Sequence, residues 1–198
     1  MKRIGNLFDK IANMDNLILA DMKARRGKKD SYGIRLFDKD KDGNLSRLLK
    51  SLLDGTFKTS KYRTDTIYEP KERIIFKLPY YPDRILHHAI MNVMEPIWVS
   101  VFTADTTSCI KGRGITEAYK RTRRALSDRE SVYCLKVDIR KFYPSIDHEV
   151  LKGIARKMIK DDRLLMLLDE IIDSAPGVPI GNYLSQYLAN LYLAYLDH

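Results

Sequence analysis

The sequence predicts an α+β fold. Apolar residues recur at helical spacing through most of the 198 residues. Two short strand-like runs flank the polar stretch at 69–72, as in a hairpin. Helices and strands do not alternate in the regular way that builds a parallel sheet.

The elements follow in order. Ile4, Leu7, Phe8 and Ile11, then Leu17, Leu19, Ala20 and Met22, predict helices over 4–12 and 16–26, with Gly27 as the stop. A polar loop over 38–43 leads to a helix over 44–53, which Asn44 can cap and Gly55 can end. Residues 61–68 and 73–78 read as the two strands of the hairpin. Residues 83–103 are helical, with Pro96 as a break or a fresh start. A basic helix spans 115–127. Residues 132–138 form a strand apolar on both faces, hence buried. Helices follow over 148–159, 162–174 and 182–197, the last two joined by the turn-rich connector 175–181.

Charge narrows the function classes. The chain carries +9, and +7 of this lies in residues 1–74, while residues 161–198 hold six acids and one Arg. Lys23, Arg25, Arg26, Lys28 and Lys29 form one basic cluster. Lys111, Arg113, Lys120, Arg121, Arg123 and Arg124 form a second. Each could be a solvated helix face, but two clusters in one small chain point to a phosphate-backbone track. Cys109 and Cys134 cannot build a disulfide framework or, with four histidines so spaced, a four-ligand zinc site. Two cysteines fit a reducing, cytoplasmic setting. No apolar run reaches the roughly 18 residues of a membrane helix, and Asp9 and Lys10 interrupt any signal sequence.

Asp38-Lys-Asp40-Lys-Asp42-Gly43-Asn44 has the opening spacing of a calcium loop, but the twelfth position is Leu49 rather than the bidentate Glu. A polar loop leading into a helix is the better reading. More informative is Asp138, at the end of a strand expected to be buried. A carboxylate there is held rigidly at a cleft edge, within reach of a hard cation, though capping a turn is the commoner role.

Asp138 with Tyr143 five residues later resembles the palm motif of reverse transcriptases, and the similarity extends through most of the chain. It implies that Asp138 holds Mg2+ or Mn2+, that the carbonyl of Ile139 faces a metal, and that Tyr143 packs under the nucleotide sugar and excludes a 2′-hydroxyl. Glu69-Pro-Lys71-Glu-Arg73 and Asp83-Arg84-Ile-Leu-His-His resemble the fingers hairpin and helix of bacterial retroelement polymerases. By that resemblance Lys71 and Arg73 hold the incoming dNTP. Arg suits this role because its planar fork matches phosphate. Asp83-Arg84 reads as structural, with an ion pair as one option, and His87 and His88 as packing residues. Lys111 and Arg113 sit in a loop that resembles a template or primer contact.

Downstream, Gly177-Val-Pro-Ile180-Gly181-Asn-Tyr-Leu-Ser185-Gln186 resembles the motif beneath the templating base pair. Most reverse transcriptases carry Gln-Gly followed by Ser-Pro. Ile180-Gly181 followed by Ser185-Gln186 resembles the enzymes of diversity-generating retroelements, which copy RNA with errors at adenines. Ile180 in place of an amide removes a polar partner, which fits looser base selection.

The resemblance implies fingers over 1–85 and 147–180, and an incomplete palm over 86–146 and 181–198. Its partners would be an RNA template, a DNA primer and a small basic accessory protein. The Tyr-x-Asp-Asp that supplies the family's other carboxylates does not occur, so residues 1–198 alone are expected not to polymerise. Group II intron-type and phage-defence reverse transcriptases stay open as alternatives. So does a non-catalytic RNA- or DNA-binding module on the same scaffold.

Overall fold

The computed structural model describes residues 3–28, 31–68, 72–130 and 132–198. Among them are nine α-helices and one two-stranded antiparallel sheet, an α+β architecture dominated by helix. The helices are α1 (Phe8–Ile11), α2 (Met14–Ala24), α3 (Tyr32–Asp38), α4 (Lys41–Leu53), α5 (Ile85–Val99), α6 (Ile115–Leu126), α7 (His148–Met158), α8 (Asp162–Ile172) and α9 (Tyr183–Asp197). The strands are β1 (Arg63–Ile67) and β2 (Arg73–Lys77), with Arg63 opposite Lys77 and Ile67 opposite Arg73.

Helix α5 is the axis of the fold. Ile85, Leu86, Ala89, Ile90, Met91, Met94 and Trp98 are buried around most of its circumference. A helix apolar on nearly all sides has to be central, and α2 and α9 pack on it. Pro96 was expected to break this helix, but α5 runs on to Val99. The proline sits in the last turn, where it forfeits one backbone bond. Trp98, fully buried against Tyr187, holds that turn in the core. One continuous core links residues of α1, α2, α4, α5, α7, α8 and α9.

Local chemistry fixes the element ends. The Asn13 side chain accepts from the Asn16 N–H at 2.9 Å and starts α2; Gly27, at φ +74, follows its end. Asp161 caps α8 and also accepts from the N–H groups of Leu7 and Phe8 at 2.7 and 2.8 Å, tying α1 to the α7–α8 joint.

Three expectations need correction. Helix α4 begins at Lys41, so Asn44 is not its cap; instead the Asn44 amide donates to the Phe37 carbonyl. The calcium-like stretch is therefore largely helical, with Asp38 bound by Arg25 and Asp40 by Arg47. Asp83 and Arg84 form no ion pair: the buried Asp83 carboxylate accepts from the Ser60 N–H at 2.9 Å. The largest departure is at 132–138. This segment pairs with no strand among the described residues and is exposed, Tyr133 at 96% and Leu135 at 87%. A strand exists only through its neighbours, and no described segment lies alongside to supply them.

Candidate functional site

The connector between α8 and α9 organises the site. At Gly177, φ is +60 and an added Cβ would lie 2.4 Å from the Tyr143 carbonyl oxygen, so only glycine fits. The next residue, Val178, donates its N–H to the same carbonyl at 2.9 Å. Two residues on, the Ile180 carbonyl accepts from the Phe76 N–H of β2 at 2.7 Å. At Gly181 a Cβ would meet the Phe76 oxygen at 2.7 Å and the Ile75 side chain at 2.9 Å. Five residues thus join Tyr143 on one side to the hairpin on the other.

This brings several of the expected residues together. Tyr143 is half-buried in a short 3-10 turn, Tyr143–Ser145, and burial pushes its phenol pKa up. Ile180 is half-buried, Gly181 exposed, Ser185 buried and Gln186 half-buried at the start of α9. Arg73 is exposed and shares a face of β2 with Ile75, so it lies about 7 Å further along from the Gly181 contact. Lys71 lies outside the described residues, as does Lys29.

Asp138 and Ile139 stand apart. They occupy the exposed stretch that ends in a turn in which Lys141 takes φ +51. No three His, Cys, Asp or Glu residues gather into a metal site among the described residues. The donors here amount to one carboxylate, Asp138, and the backbone beside it. That does not by itself fit a two-ion centre, which needs carboxylates for both ions.

The basic residues divide into those that line a cleft, among them Lys23, whose Nζ donates to the Asn92 side chain at 2.6 Å, and those paired elsewhere. Lys23, Arg26 and Lys111 line a cleft of about 500 Å3 together with His88, Glu95 and Tyr183. An adjoining cleft of about 230 Å3 adds Lys28, Arg84, His87 and Asn182. Two basic clusters more than 80 residues apart in sequence therefore meet on one surface. His88 stacks on Tyr183, with ring centroids 5.0 Å apart. Burial, then the charges of Arg84, Lys23 and Lys28, push its pKa down to about 4. Burial, reinforced by His88 and Arg84, does the same to His87. Both rings are neutral at pH 7 beside a row of cations, an arrangement suited to anions.

Arg25, in contrast, is committed to Asp21 and Asp38 at 2.7 and 2.8 Å. Arg113 donates to the Thr103 carbonyl, and Arg121 pairs with Asp105 and Glu117. These three, expected to touch nucleic acid, have guanidinium groups engaged by partners within the chain. Lys120, Arg123 and Arg124 are exposed on α6, which buries no residue. The sequence reading missed Arg84 and Tyr183 as cleft residues. Arg84 and His88 one helical turn apart, with Tyr183 two residues after Gly181, was the available signal.

If RNA tracks this cleft, replacing Lys23, Arg26 or Lys111 by Gln flattens the dependence of log K on log salt by about 0.7 each. Arg25→Gln leaves that slope unchanged and lowers the melting temperature. Filter binding across a salt series, beside thermal melts, checks both.

No family model matches the chain. It is similar to the group II intron-encoded protein LtrA of Lactococcus lactis subsp. cremoris, 25% identical over 166 residues. It is similar to Protein YkfC of Escherichia coli K12, 26% identical over 170 residues, and to nuclear intron maturase 4, mitochondrial, of Arabidopsis thaliana, 23% identical over 163. These alignments cover 77%, 77% and 76% of this chain and 27%, 44% and 20% of the respective relatives. The chain thus spans less than half the length of any of these three relatives, two of which are named for introns.

Proposed function

We propose that the chain is part of an RNA-directed DNA polymerase and carries its fingers hairpin, its nucleotide-selecting aromatic and a stretch of template path. The observation that carries this reading is the 177–181 connector, which fastens Tyr143 and the Ile180–Gly181 turn to the strand that bears Arg73. Similarity to intron-encoded proteins supports it.

In this reading Arg73, with Lys71, grips the triphosphate of a dNTP, since phosphoryl transfer is chiefly positioning and charge stabilisation. Tyr143 packs under the sugar and leaves no room for a 2′-hydroxyl. Ile180 and Gly181 border the base pair, followed by Ser185 and Gln186. Lys23, Arg26, Lys28 and Lys111 hold the RNA or DNA backbone. Asp138 is the carboxylate this chain brings to Mg2+ or Mn2+; bound there, the ion would stabilise charge on the reacting phosphate.

Two finer readings each have support. Ile180 and the Ser185-Gln186 pair favour the error-prone enzyme of a diversity-generating retroelement, with its small basic accessory protein. The relatives favour a group II intron-type enzyme. The test is cDNA synthesis on a defined RNA by the complete encoded protein, with the product sequenced. A faithful copy supports the intron type. Errors concentrated opposite adenine, lowered by Ile180→Gln, support the retroelement type. RNA binding without any cDNA contradicts the polymerase reading.

A further inference from the structure

His148 is the first residue of α7, and its imidazole reaches across to the end of α8. Nε2 lies 2.8 Å from the Gly177 carbonyl oxygen. A carbonyl only accepts, so Nε2 carries a proton and donates it. Nδ1 lies 3.1 Å from one oxygen of Asp173, whose other oxygen accepts from Lys152 Nζ at 2.7 Å. With both nitrogens protonated the ring donates to Asp173 on one side and to the Gly177 carbonyl on the other; with Nε2 alone protonated it holds the connector only.

What it holds is the residue packed directly on Tyr143. A Cβ on Gly177 would meet the Tyr143 oxygen at 2.4 Å and the Pro144 Cα at 2.7 Å, and Val178 donates to the Tyr143 carbonyl. His148 therefore stands one hydrogen bond and one close contact from the Tyr143 backbone. Capping of α7 does not need it: Asp147 accepts the Val150 N–H at 2.9 Å and does that work.

We propose that His148, through its bond to the Gly177 carbonyl, is a positioning residue for Tyr143. It fixes the Gly177 turn and so sets the height of the Tyr143 ring against the sugar of the incoming nucleotide. The inference rests on the polymerase reading, in which Tyr143 meets that sugar.

Two substitutions separate positioning from general stability. His148→Gln places an amide nitrogen near the position of Nε2, keeping the bond to Gly177 and losing Asp173. His148→Asn places one near Nδ1, keeping Asp173 and losing Gly177. The measurement is the ratio of kcat/KM for dNTP over the matching rNTP, in the cDNA-synthesis assay with the complete protein, beside thermal midpoints and a Tyr143→Ala control.

The expected result is a ratio within twofold of wild type for His148→Gln. His148→Asn and Tyr143→Ala lower it roughly tenfold, a change of about 1.4 kcal/mol in discrimination. An unchanged ratio in His148→Asn, with Tyr143→Ala lowered, overturns the inference and spares the polymerase reading. So does a lowered ratio in His148→Gln, which holds the test open even where His148→Asn fails to fold. An unchanged ratio in Tyr143→Ala overturns the sugar-contact reading and this inference together.

Discussion

Asp138→Asn is expected to abolish RNA-templated DNA synthesis by the complete protein, by about 10³-fold or more, without unfolding it. The two halves of that expectation have separate causes. Asp138 is exposed and makes no hydrogen bond to the described residues, so an isosteric amide costs the fold little. In the polymerase reading its worth lies in its charge: removing a carboxylate that would hold a cation forfeits several kcal/mol of transition-state stabilisation, and about 4 kcal/mol is a thousandfold. Steady-state incorporation beside a thermal melt reads both. A variant that melts like wild type but still synthesises DNA at more than a tenth of the wild-type rate removes Asp138 from the chemistry. RNA binding, by contrast, should be unaffected, because the cleft around Lys23, Arg26 and Lys111 does not involve Asp138.

Asp21→Ala is the converse, a large loss of stability with no chemistry involved. Asp21 is 0% exposed and accepts from Arg25 at 2.7 Å, from Lys41 at 2.9 Å and from the Tyr80 phenol. Removing the carboxylate leaves the Tyr80 hydroxyl only its longer bond to the Asp21 carbonyl, at 3.2 Å, and loosens two cations, a cost of about 3 kcal/mol. The joint between α2, α4 and the turn before α5 goes with it. Acid should do part of the same work. Burial alone would raise the Asp21 pKa, but hydrogen bonds from Arg25, Tyr80 and Lys41 outweigh it and hold it below 3.8. The folded value therefore lies beneath the unfolded one. This contribution is fully present above about pH 4 and is lost as pH falls through the folded pKa. Urea melts from pH 7 down to pH 2 should show a steeper acid loss in wild type than in Asp21→Ala. Parallel curves would show that the cluster contributes nothing through the Asp21 charge.

Helices were legible where one face had to be buried. The Leu45, Leu48 and Leu52 spacing marks α4, and most apolar positions of α7, α8 and α9 are buried, Val150, Met166, Tyr195 and Leu196 excepted. Helix α3 escaped notice: it has seven residues, with Gly33 in its first turn. The start of α4 was misplaced because Asn44 looks like a cap, whereas its amide serves the Phe37 carbonyl. The hairpin was legible because its register is local. The 132–138 strand was not, because its apolar pattern reports a demand for burial and says nothing about which segment meets it.

The candidate site divides along the same line. Tyr143, Ile180 and Gly181 could be picked out from short motifs, and the connector does place them together. Arg25 could not be told from Arg26 by sequence, since only the fold brings Asp38 to one and leaves the other facing a cleft. The meeting of Lys23 with Lys111, and the reach of His148 to Gly177, are likewise contacts between distant parts of the chain.

In the proposed reading these parts serve RNA-templated DNA synthesis. The most direct test is incorporation of labelled dNTP on a primed RNA in Mg2+ or Mn2+ by the complete encoded protein, with Asp138→Asn alongside. Metal-dependent extension by the wild type, lost in the variant, is the predicted result. Salt-sensitive RNA binding with no extension at any metal concentration, identical in both proteins, would contradict the account and leave a nucleic-acid-binding module.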